Sequence, residues 1–278
     1  MLFDKQVSRK PNKYPWTQDI IDALWQTHWT PNEFNFKADY AQFHSVLTEE
    51  QKGVVIRTLS AIGQIEIAVK RFWGDLGTNL PHPSMTDLGY VMANNEVIHN
   101  QAYEKLLSVL NLNSAFDEAL KEPVVKGRVE YLTKYLDKKY EDERKQYVYA
   151  LILFTLFVEN TSLFSQFYTI MHFNRFDNVL KDTAQQVQYT RNEEALHAKV
   201  GIMLVNTLRE EYPEFFDEEL EERIRSECEV ALEHEGRMVE WMLQGYEGER
   251  LSEDILKAYI KHRLNTSMKE IGFQPIEV

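Results

Sequence analysis

Apolar residues recur every three or four positions along most of the chain, with polar residues on the opposite side of each turn. This period is typical of amphipathic helices, and alternation of the strand type does not extend over any long stretch. The spacing predicts helices over residues 17–28, 48–74, 86–110, 114–120, 124–138, 143–172, 178–210, 216–243 and 252–271. We therefore expect an all-α fold.

Local signals predict some of the helix ends. Thr48 and Gln51 have the spacing of a capping box, in which each side chain binds the other residue's backbone N–H. Thr86 has a side chain suited to cap the next long helix. Residues 174–177 are expected as the turn before the helix over 178–210.

Two glutamates occupy helix faces that are otherwise apolar. Glu66 shares a face with Ile62 and Val69, and Glu159 ends the most apolar run of the chain, residues 150–159. Burying an ionised carboxylate among apolar side chains is strongly unfavourable unless a charged group pairs with it. Both glutamates therefore require a cationic partner.

Two short strings each place a histidine three residues after a glutamate. They are Glu96-Val97-Ile98-His99 and Glu194-Ala195-Leu196-His197. On a helix this spacing brings both side chains to one face, about 5–6 Å apart at Cβ. With eight histidines and 44 acidic residues, roughly one such string is expected by chance, so one string alone is weak evidence. Two strings together with two buried glutamates point to metal binding.

The combination matches dimetal-carboxylate bundles, in which two helices each supply a glutamate and two others each supply a Glu-x-x-His pair. Four carboxylates and two imidazoles suit iron or manganese better than zinc or copper. The predicted metal ligands are Glu66, Glu96, His99, Glu159, Glu194 and His197, whose formal charge of −4 is balanced by two divalent cations. These residues leave the choice between iron, manganese and a mixed centre open.

Composition and charge narrow the classes of function. The chain has 278 residues, and its formal net charge of −13 disfavours binding to nucleic acids or anionic membranes. The single cysteine, Cys228, excludes an intrachain disulfide and fits a reducing cytosol. The first residues contain no apolar run typical of a secretory signal, and the run 150–158 is too short to span a bilayer. We expect a cytoplasmic protein.

The order of these residues resembles the small, radical-generating subunit of class I ribonucleotide reductase over nearly the whole chain. One carboxylate is followed 30 residues later by a Glu-x-x-His pair, then by another glutamate and a second pair. The resemblance implies a ferritin-like four-helix bundle with additional flanking helices, as a single dimetal-carboxylate domain over residues 1–278. In it we expect an N-terminal segment (1–47), metal-binding helices (48–210) and C-terminal helices (217–271).

The resemblance also implies roles for individual residues. Glu66, Glu96 and His99 would hold one ion, and the other three predicted ligands would hold the second. Tyr103, four residues after His99, matches the tyrosine that is oxidised to a radical in the family.

Two more positions match an electron relay in the family. Trp29, in the string Trp-Thr-Pro-Asn-Glu, matches the tryptophan that relays an electron towards the metals. Glu193 matches the acidic residue that links this tryptophan to a metal-bound histidine. Many members have aspartate there, so the longer glutamate departs from the family's pattern.

The function implied by the resemblance is that of a ribonucleoside-diphosphate reductase subunit. Its dinuclear centre would react with an oxygen-derived oxidant, store a one-electron oxidising equivalent as a tyrosyl radical or at the metals, and pass it to the large catalytic subunit for deoxyribonucleotide synthesis. The implied partners are that large subunit and a second copy of the chain in a homodimer, and the need for a flavoprotein activator stays open. Members usually carry a C-terminal tail that docks on the large subunit, whereas this sequence ends at Val278 directly after its last predicted helix. Either the docking tail was removed from this sequence or the chain docks on the large subunit in a different way.

Three other interpretations fit parts of the pattern. A related dimetal oxidase that acts on a lipid-like ligand would need no large subunit. A ferritin-like iron-storage shell would share the carboxylate and histidine pairs, although storage subunits are usually shorter. A helical bundle without metal would leave the buried glutamates unpaired.

Overall fold

Helices make up the fold in the computed structural model, which describes residues 1–276 except for the side chains of residues 66–68. The only β feature among the described residues is an isolated bridge between Gly248 and Leu251. The helices are α1 (Trp16–Gln26), α2 (Lys37–Ser45), α3 (Glu49–Gly74), α4 (Leu76–Asn79), α5 (Pro83–Val109), α6 (Asn113–Ala119), α7 (Pro123–Leu132), α8 (Glu143–Leu153), α9 (Phe164–Asp177), α10 (Lys181–Glu211), α11 (Glu218–Leu243) and α12 (Glu253–Glu270). Between α8 and α9 lies a π-helical stretch, Phe154–Ser162, which we call the π segment; 3₁₀ turns occupy Lys134–Leu136 and Pro213–Phe215. The prediction of an all-α fold is confirmed.

The start of α3 has the predicted capping box. The Thr48 hydroxyl accepts a hydrogen bond from the Gln51 N–H at 3.2 Å, and the Thr48 N–H donates to Gln51 Oε1 at 3.0 Å. Both bonds satisfy backbone donors that have no partner inside the helix. The capping box therefore determines where the helix that carries position 66 begins.

The start of α5 differs from the prediction. The helix begins at Pro83, three residues before the expected cap Thr86. Proline is favoured at the first helical position because its missing N–H would have no partner there. His82 is therefore the N-cap residue, and the Thr86 hydroxyl donates to the His82 carbonyl at 3.2 Å.

Other boundaries also differ. α9 continues through the predicted turn at 174–177, and the chain turns instead at Asn178 and Leu180, which have φ values of 54° and 56°. Asparagine adopts this left-handed conformation more readily than most residues. The sequence pattern does not predict α2 or α4, and α7 ends at Leu132 although the pattern extends to residue 138.

The π segment interrupts the helix that was predicted over 143–172. Backbone hydrogen bonds in a π-helix span five residues instead of four, which widens the turn. Side chains within the segment bind its own carbonyl groups. Asn160 Nδ2 donates to the Thr155 carbonyl at 2.9 Å, and the Thr161 hydroxyl donates to the Leu156 carbonyl at 2.6 Å.

Two glycines allow the central helices to approach closely. A Cβ atom on Gly89 of α5 would lie 2.4 Å from the Trp73 carbonyl oxygen of α3. A Cβ atom on Gly201 of α10 would lie 2.3 Å from Thr155 Oγ1 and 2.9 Å from Thr155 Cβ in the π segment. These contacts bring α3 against α5 and α10 against the π segment, and so position the helices that carry the predicted metal ligands.

One stretch, Glu143–Asp177, is long and apolar enough to cross a membrane by length and composition alone. Its most apolar window is completely buried inside the bundle. The run 150–158 therefore belongs to the protein core, as predicted.

We expect Gly201→Ala to lower the free energy of unfolding by about 1–3 kcal/mol, because the new methyl group overlaps the stiff side chain of Thr155. Gly236→Ala is the matched control, since its Cβ would meet nothing closer than Lys257 Cε at 3.8 Å. That substitution should raise the free energy of unfolding by about 0.5–1 kcal/mol, as alanine is the better helix former. Urea denaturation of both variants measures the difference, and equal effects would contradict the proposed close contact.

Candidate metal centre

Four predicted ligands meet in the interior of the bundle. They are Glu96 of α5, Glu159 of the π segment, and Glu194 and His197 of α10. Each offers one ligand atom, and these atoms all lie within 4.8 Å of one another. All four side chains are buried, so helices from distant parts of the sequence bring a cluster of acidic groups out of contact with water.

His99 of α5 adjoins the same cluster. Its Nδ1 atom lies 3.2 Å from Glu96 Oε2 and 3.1 Å from Glu194 Oε1. His197 Nδ1 lies 2.9 Å from Glu96 Oε1. Both imidazoles therefore direct the same ring nitrogen towards the carboxylates. The side chain of the sixth predicted ligand, Glu66, lies outside the described residues.

The cluster leaves buried polar atoms without partners. Glu96 Oε1, Glu159 Oε2 and His197 Nδ1 form no hydrogen bond with the described residues. Such atoms are unfavourable by about 1–3 kcal/mol each when nothing binds them. Glu96 Oε1 and His197 Nδ1 lie 2.9 Å apart but lack hydrogen-bond geometry. Oxygen-rich donors with imidazole fit iron or manganese.

Burial and mutual proximity change the pKa values in the cluster. Burial raises the pKa of the Glu159 carboxyl well above its usual range, and the neighbouring Glu194 raises it further. Burial acts to lower the pKa of His99 and His197, but the carboxylates around them outweigh it and raise both values well above the usual range. Without cations the cluster therefore holds protons in their place, and metal binding must release them.

Glu193 binds the ring nitrogen of His99 that points away from the cluster, Nε2. A carboxylate can only accept, so His99 Nε2 donates to Glu193 Oε2 across 2.7 Å. The indole Nε1 of Trp29 donates to the same oxygen at 3.0 Å. The glutamate that replaces the family's usual aspartate thus bridges the tryptophan and the histidine directly.

Asn95 extends this arrangement to the second histidine. Its Nδ2 donates to Glu193 Oε1 at 3.1 Å, which directs its Oδ1 towards His197 Nε2 at 3.2 Å. His197 Nε2 must therefore carry a hydrogen, so Nδ1 is the nitrogen that can bind a cation once its own proton is released. Sequence reasoning missed Asn95, because no motif marks an asparagine beside Glu96.

Trp73 is a second residue that sequence reasoning did not assign to the site. Its indole Nε1 donates to Glu159 Oε1 at 2.8 Å, and both side chains are fully buried. This bond orients the carboxylate so that Oε2 faces the cluster. Trp73 lies on the same helix face as position 66, which could have suggested a role near the predicted metal ligands. A sequence pattern cannot, however, identify the group to which an indole N–H donates.

Two arginines hold the π segment from outside. Arg263 Nε of α12 donates to the Asn160 carbonyl at 2.8 Å. Arg128 of α7 donates through Nη2 to the Ser162 carbonyl and through Nη1 to the Ala61 carbonyl of α3 at 3.0 Å. These bonds tie the end of the wide turn that carries Glu159 to three other helices.

Tyr103 lies on α5, one turn after His99, and only 1% of it is exposed. Its hydroxyl lies 3.4 Å from Thr190 Oγ1 of α10. The phenol is therefore enclosed between the two helices that carry the Glu-x-x-His pairs.

Comparison with known proteins gives a consistent result. The family model described as "Ribonucleotide reductase, small chain" matches residues 6–276. A probable ribonucleoside-diphosphate reductase small subunit of Invertebrate iridescent virus 3 is 24% identical over 290 residues, which cover 99% of this chain and 77% of that protein.

Solved structures share the architecture. Dimanganese(II)-NrdF from Streptococcus sanguinis matches with a TM-score of 0.83 at 16% identity, over 99% of this chain and 94% of that one. A variant of an R2-like ligand-binding oxidase with an anaerobically reconstituted Mn/Fe cofactor matches with a TM-score of 0.80 at 18% identity, over 95% of this chain and 96% of that one. At these identities the matches establish the fold, and the expected ferritin-like bundle with flanking helices is confirmed.

We expect Asn95→Ala to lower the affinity for Mn²⁺ or Fe²⁺ by about 10–100-fold, because His197 loses the acceptor that orients it. Asn94→Ala is the control, since Asn94 is the exposed neighbour on the same helix. Competition with a chromophoric chelator measures both affinities. Equal metal binding by the two variants would show that the amide does not orient the histidine.

Proposed function

This chain belongs to the ribonucleotide reductase small-chain family, and from that membership we propose that it generates and stores the oxidising equivalent used by a large catalytic subunit. The observation that carries the proposal is the convergence of Glu96, Glu159, Glu194 and both imidazoles in a buried cluster. Three of its atoms, Glu96 Oε1, Glu159 Oε2 and His197 Nδ1, have no hydrogen-bond partner among the described residues. We propose these residues and Glu66 as the ligands of two ions. When bound, redox-active iron or manganese ions supply a one-electron oxidant that no amino-acid side chain supplies alone.

Tyr103 is the proposed site of a stored radical. The enclosed position of its ring between α5 and α10 supports this role, because solvent and reductants have little access to a phenol that is 1% exposed. When a tyrosine is oxidised it loses its hydroxyl proton together with the electron. A buried phenoxyl radical therefore persists longer than one in contact with water.

Trp29, Glu193 and His99 are the proposed path for the electron between the large subunit and the centre. The indole and the imidazole bind the same carboxylate oxygen, at 3.0 Å and 2.7 Å, and their ring centroids are 6.2 Å apart with an interplanar angle of 25°. Continuous contact of this kind supports the relay. The glutamate at position 193 spans the distance without a break in the chain of hydrogen bonds.

We propose that the chain forms a homodimer through an apolar face of α1 and α5. Trp25 is 63% exposed, Tyr90 is 62% exposed and Val97 is 39% exposed. Trp25 and Tyr90 line one hollow of about 240 Å³ together with Asn94. Large exposed aromatic side chains that lie together mark protein contacts, and a second copy is the commonest partner of such a face.

The fold is also compatible with a second function. The R2-like ligand-binding oxidase matches this chain with a TM-score similar to that of the dimanganese(II)-NrdF structure. An oxidase of that kind would contain a bound ligand beside the metals and would need no large subunit. Mass spectrometry of small molecules released from the purified protein separates the two functions.

We also propose a cytoplasmic location and leave the need for a flavoprotein activator to be tested by reconstitution.

We expect Tyr103→Phe to abolish both the tyrosyl EPR signal of the metal-loaded protein and turnover with its large subunit. Tyr149→Phe is the matched control, because the Tyr149 ring is fully buried and its hydroxyl binds none of the described residues. The control should keep the signal and the activity. A tyrosyl signal that survives in Tyr103→Phe would contradict the assignment of the radical.

We expect Tyr90→Glu to convert the dimer to a monomer, because the charge would be buried against its copy. Tyr40→Glu is the control, since Tyr40 is also exposed (46%) but lies on α2, away from this face. Sedimentation equilibrium gives the mass of both variants. A dimer that tolerates the charge at position 90 would place the interface elsewhere.

A further inference from the structure

A cavity of about 750 Å³ opens on the surface between α9 and the first half of α10. Arg250, in the loop between α11 and α12, and Tyr259 of α12 line the remaining side. The volume falls within the range of small-molecule sites. None of the proposed metal ligands lines the cavity, so it is separate from the metal centre.

Positive charge is concentrated at this cavity. Arg175, Lys181, Arg191 and Arg250 line it, and no acidic residue does so among the described residues. In the described part of the chain, none of the four forms an ion pair with a carboxylate, unlike Arg237 or Arg9 elsewhere on the surface. The chain as a whole has a net charge of −13 and repels anions, but such a cluster attracts them locally.

The backbone around Arg250 is held in place. The Tyr168 hydroxyl donates to the Arg250 carbonyl at 2.7 Å. Gly248 and Leu251 exchange backbone hydrogen bonds at 2.9 and 3.1 Å, and Arg250 between them has a φ of 58°. The loop thus keeps a non-glycine residue, Arg250, in the left-handed region at the edge of the cavity.

His172 gives an independent sign of a ligand. It lines the cavity, is only 3% exposed, and neither ring nitrogen binds a described residue. Burial lowers the pKa of its imidazole, so near pH 7 the ring is neutral and offers one donor and one acceptor. A Cβ atom on Gly248 would lie 2.8 Å from His172 Nε2, so the loop packs closely against the ring only because this residue is a glycine.

The rest of the wall suits a flat ring. Phe167, Tyr168 and Phe176 supply aromatic surface, and Gln185 and Gln188 line the same space. Aromatic side chains bind nucleobases by stacking, and amides can bind the polar edges of such rings.

We propose that this cavity binds a nucleoside phosphate. The guanidinium groups match phosphate oxygens in a planar, bidentate geometry, the aromatic wall takes the base, and His172 with the two amides takes the polar atoms of the base or sugar. An inorganic anion would not need the aromatic wall, and an apolar ligand would not need four cations. The inference does not depend on the proposed function, since the site includes none of its residues.

Isothermal titration of the 278-residue chain with ADP, adenosine and pyrophosphate tests the proposal. ADP should bind with one site per chain, and each of the two fragments should bind about tenfold or more weakly. Raising the salt concentration should weaken ADP binding, because exposed charges are screened. Absence of saturation at millimolar ADP would overturn the proposal, and so would pyrophosphate binding as tightly as ADP.

A double variant, Arg175→Gln with Arg250→Gln, locates the site. It should lower the ADP affinity by about tenfold or more, since each guanidinium forms a charge-assisted bond to phosphate. The control, Arg9→Gln with Arg237→Gln, makes the same change in net charge at two exposed, ion-paired arginines and should leave binding unchanged. An equal loss in both double variants would show non-specific attraction and would overturn the assignment.

Discussion

The structure depends on how the negative charge of its buried glutamates is balanced in an interior without contact with water. Glu96, Glu159, Glu193 and Glu194 are each at most 2% exposed, and His99 and His197 are completely buried beside them. The two imidazoles can compensate only part of this negative charge, and only by taking up protons. The helices therefore pack around either protons or cations, and cations are favoured by the three atoms without hydrogen-bond partners, Glu96 Oε1, Glu159 Oε2 and His197 Nδ1.

The orientation of the two histidines follows from one carboxylate. Glu193 can only accept hydrogen bonds, so it determines the direction of the Asn95 amide, and that amide determines which nitrogen of His197 carries the hydrogen. The same carboxylate also binds Trp29. A single buried acid thus organises groups from α5, α10 and the N-terminal segment.

Much of this arrangement is predictable from sequence, because periodicity and Glu-x-x-His spacing are local. The long helices, the capping box of Thr48 and the order of the candidate ligands depend on residues within one or two turns. The π segment does not, since it lies inside a stretch whose pattern predicts one continuous helix over 143–172, and its carbonyls are bound by Arg128 and Arg263 from helices that are distant in sequence. Asn95 escaped prediction for the same reason, as its partner Glu193 is 98 residues away.

The π segment also has a mechanical consequence. Its turns are closed by wider backbone hydrogen bonds than those of an α-helix, and the turn that carries Glu159 is also bound by side chains from α7 and α12 and by its own Asn160 and Thr161. The position of this carboxylate therefore depends on α7 and α12 as well as on its own helix, so a displacement of either helix would move it.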